Sequence, residues 1–481
     1  MTFTTLTFAL FFLGFFPAYW ALRERRHQNW LVLAGSYFFY GWWDWRFCGL
    51  MALTSLLDFS LGQAIHRTTD ERRRRQWLVL GLTVSLGVLG YFKYFNFFAT
   101  SARTAAQTLG WELSWTTVEV VLPVGISFYT FQSLSYLIDV YRRQITACDS
   151  WADYFAYVSF FPQLVAGPIE RATNLLPQFG RARIFDYAVA VDGCRMFLWG
   201  LVKKLVVAGY LSGVVDGVFS QPAAHSRGAV AAAAIAFTLQ IYCDFSAYSE
   251  MAAGLAKLLG FRLMRNFAHP LFSQSVGELW RRWHISLSTW FKDYVYVPLG
   301  GNRGPAVRRT LVLLATFTLS GLWHGAAWKF VLWGALNALA MLPELLRPAG
   351  RRLGAGDTPG GEGWLPAPGT ALRMAATFLF LTFTFVFFRA NSLGDALVCL
   401  ERIFLGGGSE LGLKSLAAVL PKRACAFAAA LFLVEWCLRR HAHPLQVDGW
   451  PRSLRWALYS ALFWLAIASG KPGTEFIYFQ F

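Results

Sequence analysis

Apolar stretches long enough to cross a bilayer alternate with short basic clusters along most of this chain. The first run, Phe3 to Leu22, is followed by Arg23-Glu24-Arg25-Arg26-His27. Trp30 to Ile65 has room for two crossings joined at Trp42-Trp43-Asp44-Trp45-Arg46, and leads to Arg67 and Arg72-Arg73-Arg74-Arg75. Trp77 to Phe98 predicts a crossing to a loop poor in Lys and Arg at Ala99 to Thr117, and Val118 to Val140 predicts the return to Arg142-Arg143. Later runs cover Cys194 to Val218, Gly228 to Tyr248, Thr310 to Leu346, Ala371 to Phe388, Ala424 to Leu438 and Leu454 to Ser469. At about 20 residues per crossing, this predicts roughly ten to thirteen helices. Alternation puts every strong basic cluster on one side, which the positive-inside rule makes cytoplasmic, with the N-terminus outside and the Trp42–Trp45 stretch at the outer interface. No basic residue precedes the first run and no small-residue cleavage site follows it, so it reads as an uncleaved first helix.

Two segments break this pattern. From Trp151 to Arg183 and from Phe261 to Arg309 polar and apolar residues mix too finely for simple spans. Such stretches suit interfacial helices or re-entrant pieces lining a polar cavity. A third segment, Pro348 to Gly369, is rich in Gly and Pro and reads as a mobile loop. It divides a core at 1–347 from C-terminal helices at 370–481. No fixed-period or inverted repeat is visible.

Composition narrows the class. Hydrophobic residues make up 56% and charged residues 15%, far from the soluble norm, and the mean hydropathy is +0.41. A disordered chain, a secreted disulfide scaffold and an ordinary cytosolic enzyme are excluded, leaving an all-α, polytopic membrane protein. The net charge of +17 comes from short clusters between apolar runs rather than from a solvated basic face, which argues against nucleic-acid binding. The seven Cys are scattered without a CxxC pair.

Chemistry concentrates on two histidines. His324 stands in LSGLWHGAAWKF, inside a segment with arginines at both ends (Arg308, Arg309, then Arg347, Arg351, Arg352), which predicts a hairpin. It lies fourteen residues beyond Thr310, about 21 Å into a core of about 30 Å. Polar groups at such depth are expensive and mark function. Gly321 and Gly325 flank it, so backbone or ligand can approach. If Gly325 opened the second helix, His324 would sit at a helix N-terminus, whose dipole keeps an imidazole neutral and fit to accept a proton. His284 lies in GELWRRWHISLSTW; as one helix this would align Trp280, His284 and Ser288, and also Glu278 with Arg282. His269, before Pro270, reads as a turn residue, and His441 and His443 as solvated loop residues. Asp58 and Asp244 are carboxylates within apolar runs, each either lining a cavity or pairing with an internal Lys or Arg. No metal-ligand spacing joins the histidines, and no GxSxG, Walker A or dinucleotide motif is present.

At these residues the sequence resembles the membrane-bound O-acyltransferase superfamily. The matching blocks are YFKYFNFF (91–98), VLPVGISFYTFQSLSYLIDVYR (121–142), FFPQLVAGPIERATNLLPQF (160–179), QIYCDFSAYSEMAAGLAKLLGF (240–261), WRRWHISLSTWFKDYVYVPLGGNR (280–303) and LSGLWHGAAWKFVLWGALNAL (319–339). The terminal FIYFQF (476–481) is similar to the bacterial polysaccharide-acetylating branch. The resemblance implies a funnel of helices around a central tunnel, with His324 and His284 matching the family's two histidines. Trp280, Trp323, Trp328, Tyr242, Asp244 and Ser288 are the tunnel and substrate residues expected beside them. It further implies acetyl transfer from a cytoplasmic donor, acetyl-CoA as co-substrate, across the bacterial inner membrane to an exported polysaccharide, alginate-like or cellulose-like. No tightly bound cofactor and no metal are expected. The implied partners are membrane lipid, a periplasmic SGNH-type acetyltransferase and a polysaccharide synthase complex. Acylation of peptidoglycan or teichoic acid is the alternative acceptor chemistry, while a transporter or export channel and a non-catalytic scaffold are the alternatives outside enzymology. The rings Trp323, Trp328, Phe330 and Trp333, with Trp280, Trp283 and Trp290, predict a crowded wall and hence a two-carbon acyl group.

Overall fold

The computed structural model describes residues 1–111, 121–165, 167–346, 357–361, 363–406, 420–470 and 476–477. Its regular structure is helical, with no strand among the described residues. Six segments have the length and apolarity of bilayer spans: Arg46–Arg67, Glu71–Thr108, Tyr187–Ser220, Arg227–Leu258, Trp328–Leu346 and Pro368–Arg389. The fold divides into two compact units, one of residues 1–190, 256–263 and 325–327, the other of residues 191–255, 264–324 and 328–481.

The first unit begins with α1 (Leu6–Ala21), α2 (Arg25–Asp44) and α3 (Arg46–Arg67), so the Trp30–Ile65 run does contain two helices meeting at Trp45. α4 (Glu71–Leu89) passes through a π-helical turn, Gly90–Tyr94, into α5 (Phe95–Thr108). The loop expected from Ala99 therefore starts only after Thr108, because the Ala-rich stretch carries no Gly or Pro to stop the helix. Residues 112–117 of that expected loop, and 118–120 of the crossing expected after it, lie outside the described residues. α6 (Ile126–Tyr141) packs on α3 where Gly62 has no side chain; a Cβ there would meet the Tyr136 hydroxyl at 2.6 Å. Such small residues let membrane helices close without a hydrophobic driving force. Arg74, within a cluster expected on the cytoplasmic side, is buried: it donates to the Tyr141 carbonyl at 2.6 Å and pairs with Glu71 at 2.7 Å. That bond sets the Arg67–Arg75 cluster beside Arg142-Arg143. The finely mixed first segment forms α7 (Trp151–Ser159), α8 (Phe161–Leu164) and α9 (Ala172–Phe179), all too short to span.

In the second unit, α10 (Tyr187–Val202, most of it here) runs through a π-helical turn at Lys203–Ala208 into α11 (Gly209–Ser220). α12 (Arg227–Leu258) lies against α10 at Gly200 and Gly254; a Cβ on Gly200 would meet the Ala247 carbonyl oxygen at 2.7 Å. The second mixed segment becomes α13 (Val276–Arg282) and α14 (Ile285–Phe291). Then follow α15 (Ala306–His324), α16 (Trp328–Leu346), α17 (Pro368–Arg389), α18 (Leu393–Leu405), α19 (Lys422–Cys437) and α20 (Arg452–Ser469). Of the expected mobile loop, residues 348–356 and 362 lie outside the described residues. The rest, up to the start of α17, is pinned: Arg439 donates to the Pro359 and Gly363 carbonyls, and Trp436 Nε1 to the Trp364 carbonyl at 2.8 Å.

Candidate active site

α15 and α16 form the expected hairpin, and two glycines let it close. A Cβ on Gly321 would overlap the Phe330 carbonyl, and one on Gly334 the Phe317 carbonyl. The approach anticipated at Gly321 is therefore that of the partner helix backbone. His324 is the last residue of α15, and α16 begins only at Trp328. The N-terminal dipole considered from sequence thus does not act on His324, because Gly325 to Ala327 form the turn and not the helix start. Lys329, buried at the head of α16, donates to the Phe388 and Ala390 carbonyls at 3.4 and 2.5 Å, where α17 ends. Lysine here satisfies carbonyls that α17 leaves open.

His284 is placed differently from the single helix its sequence suggested. The chain breaks between α13 and α14, and His284 adopts φ 44°, ψ 53° as it enters α14. Trp280, His284 and Ser288 therefore share no continuous helical face. A left-handed non-glycine residue costs on the order of 1–3 kcal/mol and persists where its surroundings impose it. Those surroundings are explicit. Ile285 donates to the Asn266 carbonyl at 3.0 Å, Ser286 N and Oγ donate to Asn266 Oδ1, and Ala268 donates to the Arg282 carbonyl at 2.9 Å. Arg282 and Glu278 form the expected i,i+4 pair at 2.8 Å, with side chains 1% and 2% exposed. His284 lies outside every candidate span; burial keeps its imidazole neutral and pushes its pKa down to about 3.

The two histidines, forty residues apart in the chain, come together with ring centroids 6.2 Å apart. With hydrogen-bond reach of about 3 Å beyond each ring, one small reacting group can touch both. Around them, Trp323 packs on His324 (5.0 Å) and His284 (5.8 Å), Phe245 on His284 (4.6 Å), and Trp333 and Phe388 on His324 (5.2 Å each). Trp280 joins through Trp333 at 5.4 Å. Trp283 packs with Phe385 and Phe267, and Trp290 with Tyr294.

The other expected site residues separate. Trp328 is 57% exposed where Trp333 is 2% exposed: five residues apart on one helix, the two rings point in different directions. Ser288 is partly buried and donates to the Trp283 carbonyl at 3.3 Å, a backbone role. Asp244 pairs with Lys204 at 2.6 Å and accepts from Ile477 N at 2.9 Å. Asp58 accepts from Ser85 at 3.2 Å, a hydroxyl where the sequence allowed a Lys or Arg. Tyr242 donates to Glu435 at 2.7 Å. His269 is the turn residue expected (φ 49°), but buried and 3.9 Å from Glu435. His443, read as a solvated loop residue, is buried against Asp192 at 2.8 Å.

Sequence reasoning missed one group altogether. Lys203 and Lys204 are consecutive yet both buried, because the π-helical turn turns both inward. Lys203 meets Ser246 at 2.9 Å, Glu250 at 2.8 Å and Glu435 at 3.8 Å. A Lys-Lys pair inside an apolar run was the available signal.

Comparison with known proteins decides the family. The model of the membrane-bound O-acyltransferase family matches residues 80–353, more than half of the chain. The chain belongs to the membrane-bound O-acyltransferase family. It is 40% identical to the probable alginate O-acetylase AlgI of Azotobacter vinelandii over 82% of this chain and 76% of that protein. Identity to the probable alginate O-acetylase AlgI of Pseudomonas putida is 36%, covering both chains fully. Identity to the peptidoglycan O-acetyltransferase of Helicobacter pylori is 31%, over 98% of this chain and 94% of that one. This membrane-bound O-acyltransferase is thus a multi-pass, all-helical enzyme. The family match spans both histidines, and the terminal residues 478–481 of the polysaccharide-branch motif lie outside the described residues.

Proposed function

We propose that this O-acyltransferase passes an acetyl group from a cytoplasmic thioester donor, acetyl-CoA, toward an exported polysaccharide, with His324 as the proton acceptor or acyl relay. The observation that supports this is the meeting of His324 and His284 inside one shell of aromatic rings. An acceptor hydroxyl oxygen attacks the acyl carbonyl and its proton passes to His324. The C–S bond then breaks, and the thiolate leaves with the proton that His324 returns. His284, neutral at physiological pH, offers a second imidazole nitrogen to orient the group. The rings exclude water, which would otherwise take the acyl group. Alginate-like polymers are the first acceptor reading, since the most similar relatives reported above carry that name; peptidoglycan is the second, supported by the Helicobacter relative.

In this reading the protein sits in the bacterial inner membrane with its N-terminus in the periplasm. A periplasmic SGNH-type transferase places the acetyl group, and a polysaccharide synthase complex is its neighbour. The deciding test is acetylation of exported polymer in cells carrying His324→Ala. Acetylation should be lost while the protein still accumulates in the membrane. Retention of more than half of the normal acetylation would refute the role of His324. Uptake of polymer or solute into proteoliposomes without acetyl transfer would favour the transporter reading instead. Orientation is tested by labelling single cysteines at Arg73 and Gly110, both exposed. Labelling of position 73 from the periplasm would overturn the proposed topology.

A further inference from the structure

Two indole N–H groups in the ring shell of His324 have no hydrogen-bond acceptor among the described residues: Nε1 of Trp280 and Nε1 of Trp333. Their side chains are almost wholly enclosed, with the residues 8% and 2% exposed. A buried N–H left without an acceptor costs about 1–3 kcal/mol. Folded proteins keep few of them, and each calls for a reason. Here both belong to one chain of ring contacts, Trp280 on Trp333 at 5.4 Å and Trp333 on His324 at 5.2 Å.

An indole N–H donates and cannot accept, so neither group can serve as a base or relay a proton. What such donors can meet is an acceptor oxygen. The reaction read for this site creates one. When the hydroxyl oxygen bonds to the acyl carbon, the C=O electron pair moves onto the carbonyl oxygen while the hydroxyl proton goes to His324. When that pair returns, the C–S bond breaks and the thiolate leaves. Donors aimed at that oxygen in a dry pocket stabilise the charge where it develops. We propose that the indole N–H groups of Trp280 and Trp333 donate to the acyl carbonyl oxygen held beside His324. The inference rests on the reading of His324 as proton acceptor. It assigns these tryptophans a polar task in addition to filling space.

The test uses the purified full-length protein together with the proposed periplasmic SGNH-type transferase, with CoA release from acetyl-CoA measured in the presence of an alginate oligosaccharide. Trp280→Phe and Trp333→Phe keep most of the ring and remove the N–H. Each should lower kcat by about 10²- to 10³-fold, with KM for acetyl-CoA within a few-fold of the unmodified value and no loss of thermal midpoint. The double variant should fall short of the product of the two losses, because the donors act on one oxygen. Trp199→Phe removes an equally buried, acceptorless N–H from α10 and should leave kcat unchanged. If a Phe variant does not accumulate, the readout moves to infrared spectra of carbonyl-labelled acetyl-CoA on folded protein. Binding should lower the carbonyl stretch in His324→Ala, and less so when the remaining Phe variant is added. Full kcat in both Phe variants, with His324→Ala inactive, overturns the donor assignment alone. Retention of transfer by His324→Ala, or absence of transfer in the unmodified protein, overturns the His324 reading and this proposal with it.

Discussion

Removing the Glu278 carboxylate should release His284 from its place without touching a substrate contact. Glu278 Oε1 accepts from Arg282 Nε at 2.8 Å, and Oε2 accepts from Gln274 N at 2.9 Å. The remaining Arg282 partners are carbonyls, of Ala268 at 3.3 Å and Asp357 at 2.9 Å. Glu278→Ala would leave a guanidinium buried without its counter-charge. Breaking a buried pair from one side costs about 3–5 kcal/mol, and the orphaned Gln274 N–H adds about 1 kcal/mol. At about 1.4 kcal/mol per tenfold, a local opening of residues 276–286 would become on the order of 10³-fold more populated. That opening frees the Arg282 carbonyl from Ala268, two residues before His284, and nothing then imposes the left-handed conformation on the histidine.

The assay is hydrogen exchange of amides 276–286 in detergent-purified protein, beside acetyl transfer. Glu278→Ala should accelerate exchange in this segment and reduce transfer, with exchange in α3 and α6 unchanged. Glu278→Leu combined with Arg282→Met should restore most of the protection, because a buried pair replaced by apolar groups of similar volume is close to neutral. Unchanged exchange in Glu278→Ala would refute the reasoning. A double variant as exposed as the single would show that packing, and not the unpaired charge, holds the segment.

Gly321→Ala should separate α15 from α16 and displace His324. We expect a loss of transfer of at least tenfold together with a lowered thermal midpoint; unchanged values would show that the Phe330 carbonyl can move aside. Lys203→Met leaves Glu250 and Glu435 without their shared cation and should destabilise the protein by about 3–5 kcal/mol, seen as a drop in thermal midpoint of several degrees that Lys203→Arg largely restores. Because burial pushes the His284 pKa down to about 3, the neutral form is favoured by folding. The stability from this ring is complete above about pH 6.5 and is lost as pH falls from there toward 3. His284→Asn should therefore flatten the loss of thermal midpoint below pH 6, and should leave any activity pKa between pH 6 and 8 where it was. An octanoyl donor should be used far less than acetyl by the unmodified protein, and Trp323→Ala should narrow the difference. Equal use of both donors at the outset would end the short-acyl reading.

The spans were legible because hydrocarbon enforces them. A helix facing lipid must be apolar over its length, and its ends must meet charges, so α3, α4, α16 and α17 announce themselves. The hairpin around His324 was legible for the same reason, with arginines at its two outer ends. His324 itself stood out because a polar residue in an apolar run demands a use. His284 was visible as a residue but not as a geometry. The sequence around it scans as one continuous helix, and the break at Trp283 depends on Asn266 and Ala268, which hydrogen-bond from another segment to Ile285, Ser286 and Arg282 on either side of it.

What the sequence alone determined is thus whatever the solvent imposes one segment at a time: the helical class, most span positions and the clustering of basic residues, with the two histidines singled out as candidates. The tertiary structure decided what depends on two segments meeting. It set the distance between His284 and His324, left Trp328 exposed and buried Trp333 beside His324, buried Arg74 and His443, and gathered Lys203, Glu250, Glu435 and Tyr242 into one network. A one-residue shift in where α16 starts, or a π-helical turn at Lys203, rotates side chains by about 100° per residue. Those rotations leave the hydrophobic pattern almost unchanged, because the interior and the lipid are both apolar, so only the packed fold records which way each side chain turned.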